Sequence, residues 1–454
     1  MSGTLDTVIK NGLVVNADGI SRVDVGIRQE KIVEVAPEID ASRASKVIDA
    51  TGKYVMPGII DPHSHPVYVD DIGDMSISAA FGGVTSQIHF AYVKPGMEVI
   101  PVLEQFRSDG ETKSVGDFAL HLGLFDVENQ IKDLEKAFKY GATSFKVFMT
   151  YAKLKWMTDD YWLTAVMDVA AKNKGLVMVH AENGLATDYI EDKLIREGRS
   201  GAETFTQMRP DLLEAEATNR AIALSRVMGS ALYVVHNSAG VCVELFERAN
   251  REGWPIVGET CPQYLTLTDE TTKKKKALAK MGPPLRTKND NEMLWDGIVS
   301  GALNTIGSDS AAKAKTIDDD FFDAPYGTPQ VETMLRMVYN NGVNTGKITV
   351  PRLVQIMSTN IAKVFGLYPQ KGVIQKGSDA DIVIFDPAKR EILSAADQHS
   401  NVGYTLYEGT EILGAPILTM VRGVVVVDGK ELVGKPGRAK FLQTDTSNVY
   451  KGLF

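Results

Sequence analysis

Cysteine is nearly absent from this chain. Only Cys242 and Cys261 occur among 454 residues, so a framework of disulfide pairs cannot be built. The class of small proteins held together by several disulfides is therefore excluded, and a reducing compartment is expected. A single disulfide between the two cysteines stays open at this stage.

The chain also lacks long apolar runs and an excess of basic residues. Nowhere do about 18 consecutive apolar residues run together, and the N-terminus has no basic segment followed by an apolar one. We therefore expect a cytoplasmic protein with no membrane partner. The 49 basic and 58 acidic residues give a net charge of -9. This balance argues against nucleic acid as a partner and leaves a small molecule as the expected one.

Apolar sequence is plentiful. Hydrophobic residues make up 44% of the chain, enough for a large core and for a second domain. Short strand-and-turn units stand at both ends, one of them at Asn11-Gly12, a dipeptide that favours a tight hairpin. Because neither end would bury a sheet face alone, we predict one small β-sandwich domain built from both termini, residues 1–53 and 367–454.

Between the two ends, residues 54–366 alternate apolar strands with amphipathic helices, such as the helical pattern over 128–140 that stops at Gly141. This α/β pattern predicts a (β/α)8 TIM barrel, whose catalytic residues lie at the carboxyl ends of its strands. The eight candidate strands are residues 55–60, 84–90, 118–124, 144–149, 176–180, 232–236, 255–259 and 305–307.

Residues able to bind a metal recur at the ends of these strands. The first strand ends in His63-Ser64-His65, and the period of two along a strand points both imidazoles to one side. His180 and His236 end the fifth and sixth strands, and Asp309 follows the eighth. One such histidine alone is more often structural. Imidazole and carboxylate together are what zinc-like ions prefer, so the set predicts a metal site at the barrel mouth.

Lys146 lies between Phe145 and Val147 in the fourth strand, which is otherwise apolar. A lysine is usually solvated or ion-paired, and a buried ammonium is costly unless it is paired or chemically changed. The fourth strand therefore holds a further candidate for the same site.

These residues belong to a longer ordered series of motifs: Gly58-Ile59-Ile60-Asp61-Pro62-His63-Ser64-His65, Lys146 followed by Tyr151, Val179-His180-Ala181-Glu182-Asn183, Glu259-Thr260-Cys261-Pro262-Gln263-Tyr264-Leu265, Pro283-Pro284-Leu285-Arg286, Gly307-Ser308-Asp309 and Lys376-Gly377-Ser378-Asp379-Ala380-Asp381. The series resembles the hydantoinase and dihydropyrimidinase family of cyclic amidohydrolases nearly end to end. The resemblance implies that Lys146 is carboxylated and bridges two divalent metals, which would turn a buried cation into a bidentate anion.

The resemblance also implies the roles of the site residues. The expected ligands are, for one metal, His63, His65 and Asp309 and, for the other, His180 and His236. Zinc is expected first, with manganese, nickel or cobalt as alternatives. A water activated between the metals would attack the carbonyl carbon of a cyclic amide or ureide. Asp309 would pass the proton of that water to the departing ring nitrogen, and Tyr151 would donate a hydrogen bond to the oxyanion.

Three positions leave the family pattern. Gly282 stands where a Ser usually precedes Pro-Pro-Leu-Arg, Tyr326 where an Asn commonly precedes a Gly, and Ser310 where a His commonly follows the Asp. We expect Tyr151, Gly282 and Tyr326 to contact the substrate. Tyr326 would add bulk and a hydroxyl group, whereas Gly282 and Ser310 would remove volume, so the identity of the ring stays open.

Several alternatives remain at this point. The ring could belong to allantoin or another cyclic imide rather than to a hydantoin or dihydropyrimidine. A mononuclear deaminase uses a similar histidine and aspartate set but has no need of Lys146. A non-catalytic scaffold, like the dihydropyrimidinase-related neuronal proteins, is disfavoured because every expected ligand is present. The resemblance further implies a homo-oligomer, a tetramer or a dimer. His89, His121 and His399 receive no role.

Overall fold

A computed structural model describes residues 4–452. Eight parallel strands, each paired with the next along the chain, form a barrel, and the predicted TIM barrel is thereby confirmed. Barrel strands 1 to 8 are, in order, Ile59–Ser64, Val84–Val93, Asp117–Leu124, Ser144–Phe148, Leu176–His180, Ala231–Val234, Ile256–Thr260 and Thr305–Ile306.

Barrel strands 1 and 8 meet through a bridge and side chains rather than a full ladder. Ser64 and Ser310 form an isolated parallel bridge, and the N–H of His65 donates to the carbonyl oxygen of Ser310 at 2.9 Å. Ser308 donates from both its N–H and its hydroxyl group to the buried carboxylate of Asp61. The segment after strand 8 is thereby fixed beside the end of strand 1.

Helices surround the barrel because alternate strand residues face outward. In barrel strand 4, Phe145 and Val147 pack in the core between barrel and helices, whereas the ammonium of Lys146 approaches Phe90 inside the barrel.

The predicted helix over 128–140 is broken by a tighter turn at 131–133, and Gly141 ends it with φ 98°. The α-helices are Ile72–Phe81, Val99–Lys113, Val127–Gln130, Leu134–Tyr140, Asp160–Asn173, Gly184–Arg196, Phe205–Met208, Asp211–Met228, Val243–Arg251, Pro262–Thr266, Asp269–Lys275, Lys288–Ser300, Met334–Val338, Val350–Val354 and Asn360–Val364.

Two further sheets come from the chain ends, as predicted for a β-sandwich beside the barrel. Side chains from both sheets, such as Ile9 and Val25 from one and Val14 and Ile384 from the other, share one apolar core. The four-stranded sheet has the order Lys31–Ala36, Asp24–Arg28, Leu5–Lys10, Ala44–Asp49. The seven-stranded sheet has the order Glu431–Leu432, Val424–Asp428, Glu411–Val421, Ile382–Ile392, Tyr54–Pro57, Leu13–Asn16, Gly19–Arg22.

Two local predictions were wrong. The apolar run 55–60 is not one strand, because Tyr54–Pro57 pairs with the terminal strand Ile382–Ile392 and the barrel strand begins at Ile59. Asn11 has the expected positive φ of 65°, yet no hairpin forms there. The strands before and after Asn11 enter different sheets. The division into residues 1–53 with 367–454 and residues 54–366 stays a prediction.

A buried ion cluster joins the barrel to the terminal sheets. The Lys371 ammonium lies 2.6 Å from Asp117 at the start of barrel strand 3, 2.5 Å from Asp381 and 3.1 Å from Asp379. Arg422, from the turn after Glu411–Val421, lies 3.0 Å from Asp117. Because Lys371 occupies the centre of the three carboxylates, we interpret the cluster as a structural contact rather than a cation site.

Two features are absent from residues 4–452: a helix that could span a membrane and a disulfide bond. No helix there is long and apolar enough to cross a membrane. Cys242 and Cys261 are both buried and free, which closes the question of a disulfide between them.

Candidate active site

The expected metal ligands converge on one end of the barrel. His63, His65 and His180 lie at strand ends, and Lys146 lies inside barrel strand 4. Loops carry the last two ligands: His236 follows strand 6 with φ 41°, and Asp309 follows strand 8 with φ 50°. Left-handed backbone is uncommon in residues other than glycine and is often found where a side chain must be aimed at a site.

The first group of ligands is closely packed. Oδ1 of Asp309 lies 3.2 Å from Nε2 of His63 and 3.1 Å from Nε2 of His65. One ligand atom from each of the three residues lies within 4.8 Å of the others. His63 Nε2 is buried and has no hydrogen-bond partner among residues 4–452, as suits a nitrogen whose partner is a metal ion.

The second group consists of two histidines and the lysine. The rings of His180 and His236 lie 4.4 Å apart, and the His236 ring stacks 5.3 Å from that of His63. His236 Nδ1 is a buried nitrogen without a hydrogen-bond partner within the described range. His180 Nε2 bonds to Glu182 at 2.6 Å, which leaves Nδ1 of the same ring for a metal.

Lys146 lacks the partners that a buried ammonium requires. Only 1% of the residue is exposed, and its Nζ lies 5.3 Å and 5.4 Å from the ring centres of Phe90 and Phe148. No carboxylate of residues 4–452 comes within 4.0 Å of this Nζ. Burial lowers the pKa of Lys146 to about 8, although Asp309 and Glu259 act in the other direction. A lysine with a lowered pKa has a larger fraction of the free amine that carboxylation requires.

Burial sets the protonation of the remaining groups. It lowers the pKa of His63, His65, His180 and His236, so the imidazoles are neutral, which is the form that binds metal. Burial would raise the pKa of Asp309, but the nearby histidines and Lys146 hold it below its ordinary value. The carboxylate of Asp309 is therefore ionised and can accept a proton.

Sequence reasoning missed the central role of Glu259. This buried carboxylate accepts from Nδ1 of His63 at 2.7 Å, from the N–H of His236 at 2.8 Å and from the hydroxyl group of Tyr233 at 2.8 Å. It thus orients one ligand from each metal group. Its position as the charged residue near the end of barrel strand 7 was the available signal.

Two other orienting contacts were also missed. The hydroxyl group of Tyr92 lies 2.9 Å from Nδ1 of His65 and fixes that ring. Arg209 donates to both oxygens of Glu182, at 2.9 Å and 2.5 Å, and so holds the partner of His180 in place. Nothing in the local sequence around Arg209 or Tyr92 indicates these long-range contacts.

A cavity of about 380 Å³ opens onto the ligands and contains all three expected substrate contacts, Tyr151, Gly282 and Tyr326. The rings of Tyr151 and Tyr326 meet edge to face at 5.6 Å. A Cβ on Gly282 would lie 2.5 Å from the Tyr151 hydroxyl oxygen, so the missing side chain makes room for that tyrosine. Burial raises the pKa of Tyr151 well above its ordinary value, and its hydroxyl group stays a donor.

Four other residues discussed from the sequence lie away from this cavity. Ser310 is not among the residues that line the cavity, and its hydroxyl group accepts from the N–H of Gln330. His89 bonds to Ser64, and His121 contacts Ser144 and the carbonyl oxygen of Pro62. His399 stacks on Phe81 at 3.5 Å. His89 and His121 thus contact barrel strand 1 directly, whereas His399 does not.

The chain is similar to known proteins over nearly its whole length. The amidohydrolase family model matches residues 113–426. A D-hydantoinase of Geobacillus stearothermophilus is 40% identical, with 96% of each chain covered, and a D-hydantoinase of Ralstonia pickettii is 38% identical, with 97% of this chain and 99% of the relative covered. The crystal structure of a dihydropyrimidinase from Brevibacillus agri superimposes with a TM-score of 0.93 at 37% identity, over 97% of this chain and 99% of that one.

Proposed function

We propose a function from the premise that this chain belongs to the hydantoinase and dihydropyrimidinase family of amidohydrolases, as its full-length similarity shows. The chain is therefore a metal-dependent hydrolase of cyclic amides. We propose that its ring is of the hydantoin or dihydropyrimidine type and that opening gives an N-carbamoyl amino acid. The main support for the proposal is that the candidate metal ligands and Lys146 lie together at the wall of one cavity.

We propose two divalent metal ions in this site, with zinc first. His63, His65 and Asp309 would hold one ion, and His180 and His236 the other. The unpartnered nitrogens of His63 and His236 support both positions. A carboxylated Lys146 would bridge the ions, and the absence of a carboxylate near its Nζ within the described chain supports that modification. His, carboxylate and carbamate ligands also accept manganese, nickel or cobalt.

The chain's own residues would perform the remaining chemistry. When bound, the metals lower the pKa of water and polarise the carbonyl group that is attacked. The ionised Asp309 would accept the proton of the water and deliver it to the departing ring nitrogen. Tyr151, whose hydroxyl group keeps its proton, would donate a hydrogen bond to the oxygen on which negative charge develops.

Assembly is a separate proposal. We propose a homo-oligomer, a tetramer or a dimer, because closed symmetric assemblies are the usual form of soluble oligomers and the family resemblance implies one. Sedimentation or mass photometry of the purified chain tests this, and a monomer at micromolar concentration would contradict it.

A substrate panel tests the proposed reaction. The chain is loaded with zinc or manganese in the presence of bicarbonate and assayed on dihydrouracil, hydantoin, substituted hydantoins, allantoin and cyclic imides. Opening of a hydantoin or dihydropyrimidine supports the proposal. Two metal ions per chain and a carboxylated Lys146 are expected. One ion with an unmodified lysine, together with no ring opening, would refute it.

A further inference from the structure

Two lysines line the substrate cavity, and the carboxylates that act on Lys280, those of Glu191, Asp320 and Asp323, lie beyond ion-pair distance of its ammonium group. Lys280 is only 3% exposed, and its Nζ donates to the carbonyl oxygen of Phe322 at 2.7 Å. Lys313 is half-buried in the same wall. No carboxylate oxygen of residues 4–452 lies within 4.0 Å of either ammonium group. Burial lowers the pKa of both lysines to about 8, so placing two ammonium groups here costs free energy.

Each ammonium group lies over an aromatic ring of the cavity wall. Nζ of Lys280 lies 4.6 Å from the ring centre of Tyr326, which itself contacts Tyr151. Nζ of Lys313 lies 2.9 Å from the ring centre of Tyr68, whose ring is 6.5 Å from that of Tyr92. Both lysines and the two tyrosines that their ammonium groups approach line the cavity and belong to segments that follow barrel strands rather than to the strands themselves. We therefore expect a ring substituent, rather than the reacting amide, to lie beside them.

The other charged groups at the cavity are less suited to bind an anion. Arg209, beside the rings of Tyr151 and Tyr326, is held by both oxygens of Glu182. Asp309 contacts the imidazoles of the first ligand group. Asp323 lies exposed at the rim. Because the proposed carboxylation turns Lys146 into an anion, Lys280 and Lys313 are the lysines of the cavity wall left for an anionic ligand.

The protein holds Lys280 in a defined position. Buried Lys315 donates to the carbonyl oxygen of Lys280 at 2.9 Å and to that of Pro325 at 3.2 Å. The N–H of Gly327 donates to the same oxygen of Lys280 at 3.1 Å. A cation fixed by its backbone and directed into a cavity is preorganised for an anion, which lowers the entropy lost on binding.

We propose that the natural substrate carries a carboxylate on its ring substituent and that Lys280 and Lys313 bind this group. The proposal deepens the proposed function and rests on it. Ring opening creates a second carboxylate at the reacting carbonyl, but every cyclic amide substrate shares that product group. Only the substituent therefore distinguishes one substrate from another at these lysines.

A pair of substrates tests this directly. Hydantoin with a carboxyethyl substituent is compared with hydantoin bearing the isosteric carbamoylethyl group, using the metal-loaded full chain. The kcat/KM of the acid is expected to exceed that of the amide by about tenfold or more, as for a hydrogen bond to a charged group. Lys280→Met and Lys313→Met should each reduce this ratio about tenfold. Lys288→Met, at a side chain that is 84% exposed, should leave it unchanged.

Two results would overturn the inference. One is a wild-type chain that opens the amide as well as the acid or better. The other is an acid-to-amide ratio that neither lysine variant changes. Lys313 is half-buried, so its variant stays informative if Lys280→Met fails to fold. If unsubstituted hydantoin and dihydrouracil are not opened either, the proposed function fails together with the inference. If they are opened without a preference for the acid, the inference alone fails.

Discussion

At the scale of single residues, the site depends on side chains that lack ordinary partners. Lys146 has no counter-ion, and His63 and His236 each leave one buried ring nitrogen without a hydrogen bond within residues 4–452. In a protein interior such groups cost free energy unless a ligand completes them. Metal binding and carboxylation of the lysine would complete all three together.

Lys146→Ala is expected to lose bound metal and at least about 100-fold in kcat/KM, because the proposed bridge between the ions disappears. A short carboxylic acid such as acetate or propionate should restore part of both. Metal content by elemental analysis and turnover of the best substrate of the panel measure the effect. Lys172→Ala, at an exposed lysine, is the control. Full activity of Lys146→Ala without added acid would disprove the bridging role.

Gly282 and Tyr151 provide a second prediction at this scale. Gly282→Ala should lower the free energy of unfolding by about 1–3 kcal/mol, because its Cβ would crowd the Tyr151 hydroxyl oxygen. The loss should be smaller when Tyr151 is replaced by Phe, which removes that oxygen. Denaturant unfolding of the wild type, both single variants and the double variant measures the coupling. An equal loss in both backgrounds would show that crowding with Tyr151 is not the cause.

At the scale of structural elements, Glu259 connects three barrel strands. It extends from strand 7 to His63 on strand 1, to Tyr233 on strand 6 and to the backbone of His236 just beyond strand 6. The bare Cα of Gly307, after strand 8, allows this close approach, since a Cβ there would lie 2.7 Å from the glutamate oxygen. One carboxylate therefore couples the positions of ligands from both metal groups.

Glu259→Gln is expected to weaken metal binding by about 10–100-fold, since the amide cannot match all three donors that the carboxylate satisfies. Competition with a chelator measures the affinity, and circular dichroism checks that the fold persists. Glu247→Gln changes an exposed side chain on the helix before strand 7 and should leave the affinity unchanged. Wild-type affinity in the Glu259 variant would mean that the carboxylate only stabilises the barrel.

The sequence was most informative where a local pattern and a structural period coincide. Period-two apolar strands predict both the barrel and the side to which His63 and His65 point. The same logic fails at 55–60, where one apolar run serves two sheets and the partner strand Ile382–Ile392 is remote in sequence. It also fails for Lys280 and Lys313, because loop conformation decides which charged residues reach a cavity.

At the scale of the whole molecule, the cluster around Lys371 joins two parts of the structure. Asp117 belongs to the barrel, whereas Asp379, Asp381 and Arg422 belong to the segments of the terminal sheets. The ammonium compensates three buried carboxylates. After its removal Asp117 would keep Arg422 and Asp379 would keep Lys31, whereas Asp381 would lose the ammonium group beside it.

Lys371→Met should destabilise the protein by about 3–5 kcal/mol, as the loss of one partner from a buried ion group does. Asp381 would lose the ammonium group that lies 2.5 Å away, so its pKa, which burial already raises, would move further above its unfolded value. Such a group stabilises the fold at low pH and loses that contribution as pH rises, so the deficit should be larger at pH 8 than at pH 5. Denaturant unfolding at both pH values, with exposed Lys376→Met as the control, tests this. A deficit that grows toward low pH would contradict the argument.

The seven-stranded sheet also imposes an order on biosynthesis. Tyr54–Pro57 pairs on one side with Leu13–Asn16 and on the other with Ile382–Ile392. Ile382–Ile392 leaves the ribosome about 325 residues after Pro57, which at roughly 5–20 residues per second is a delay on the order of tens of seconds. During that interval one edge of the early strands stays open to pairing with another nascent chain. The four-stranded sheet, complete by Asp49, has no such delay. The nascent chain is therefore exposed to edge pairing from the emergence of Tyr54–Pro57 until the emergence of residue 392.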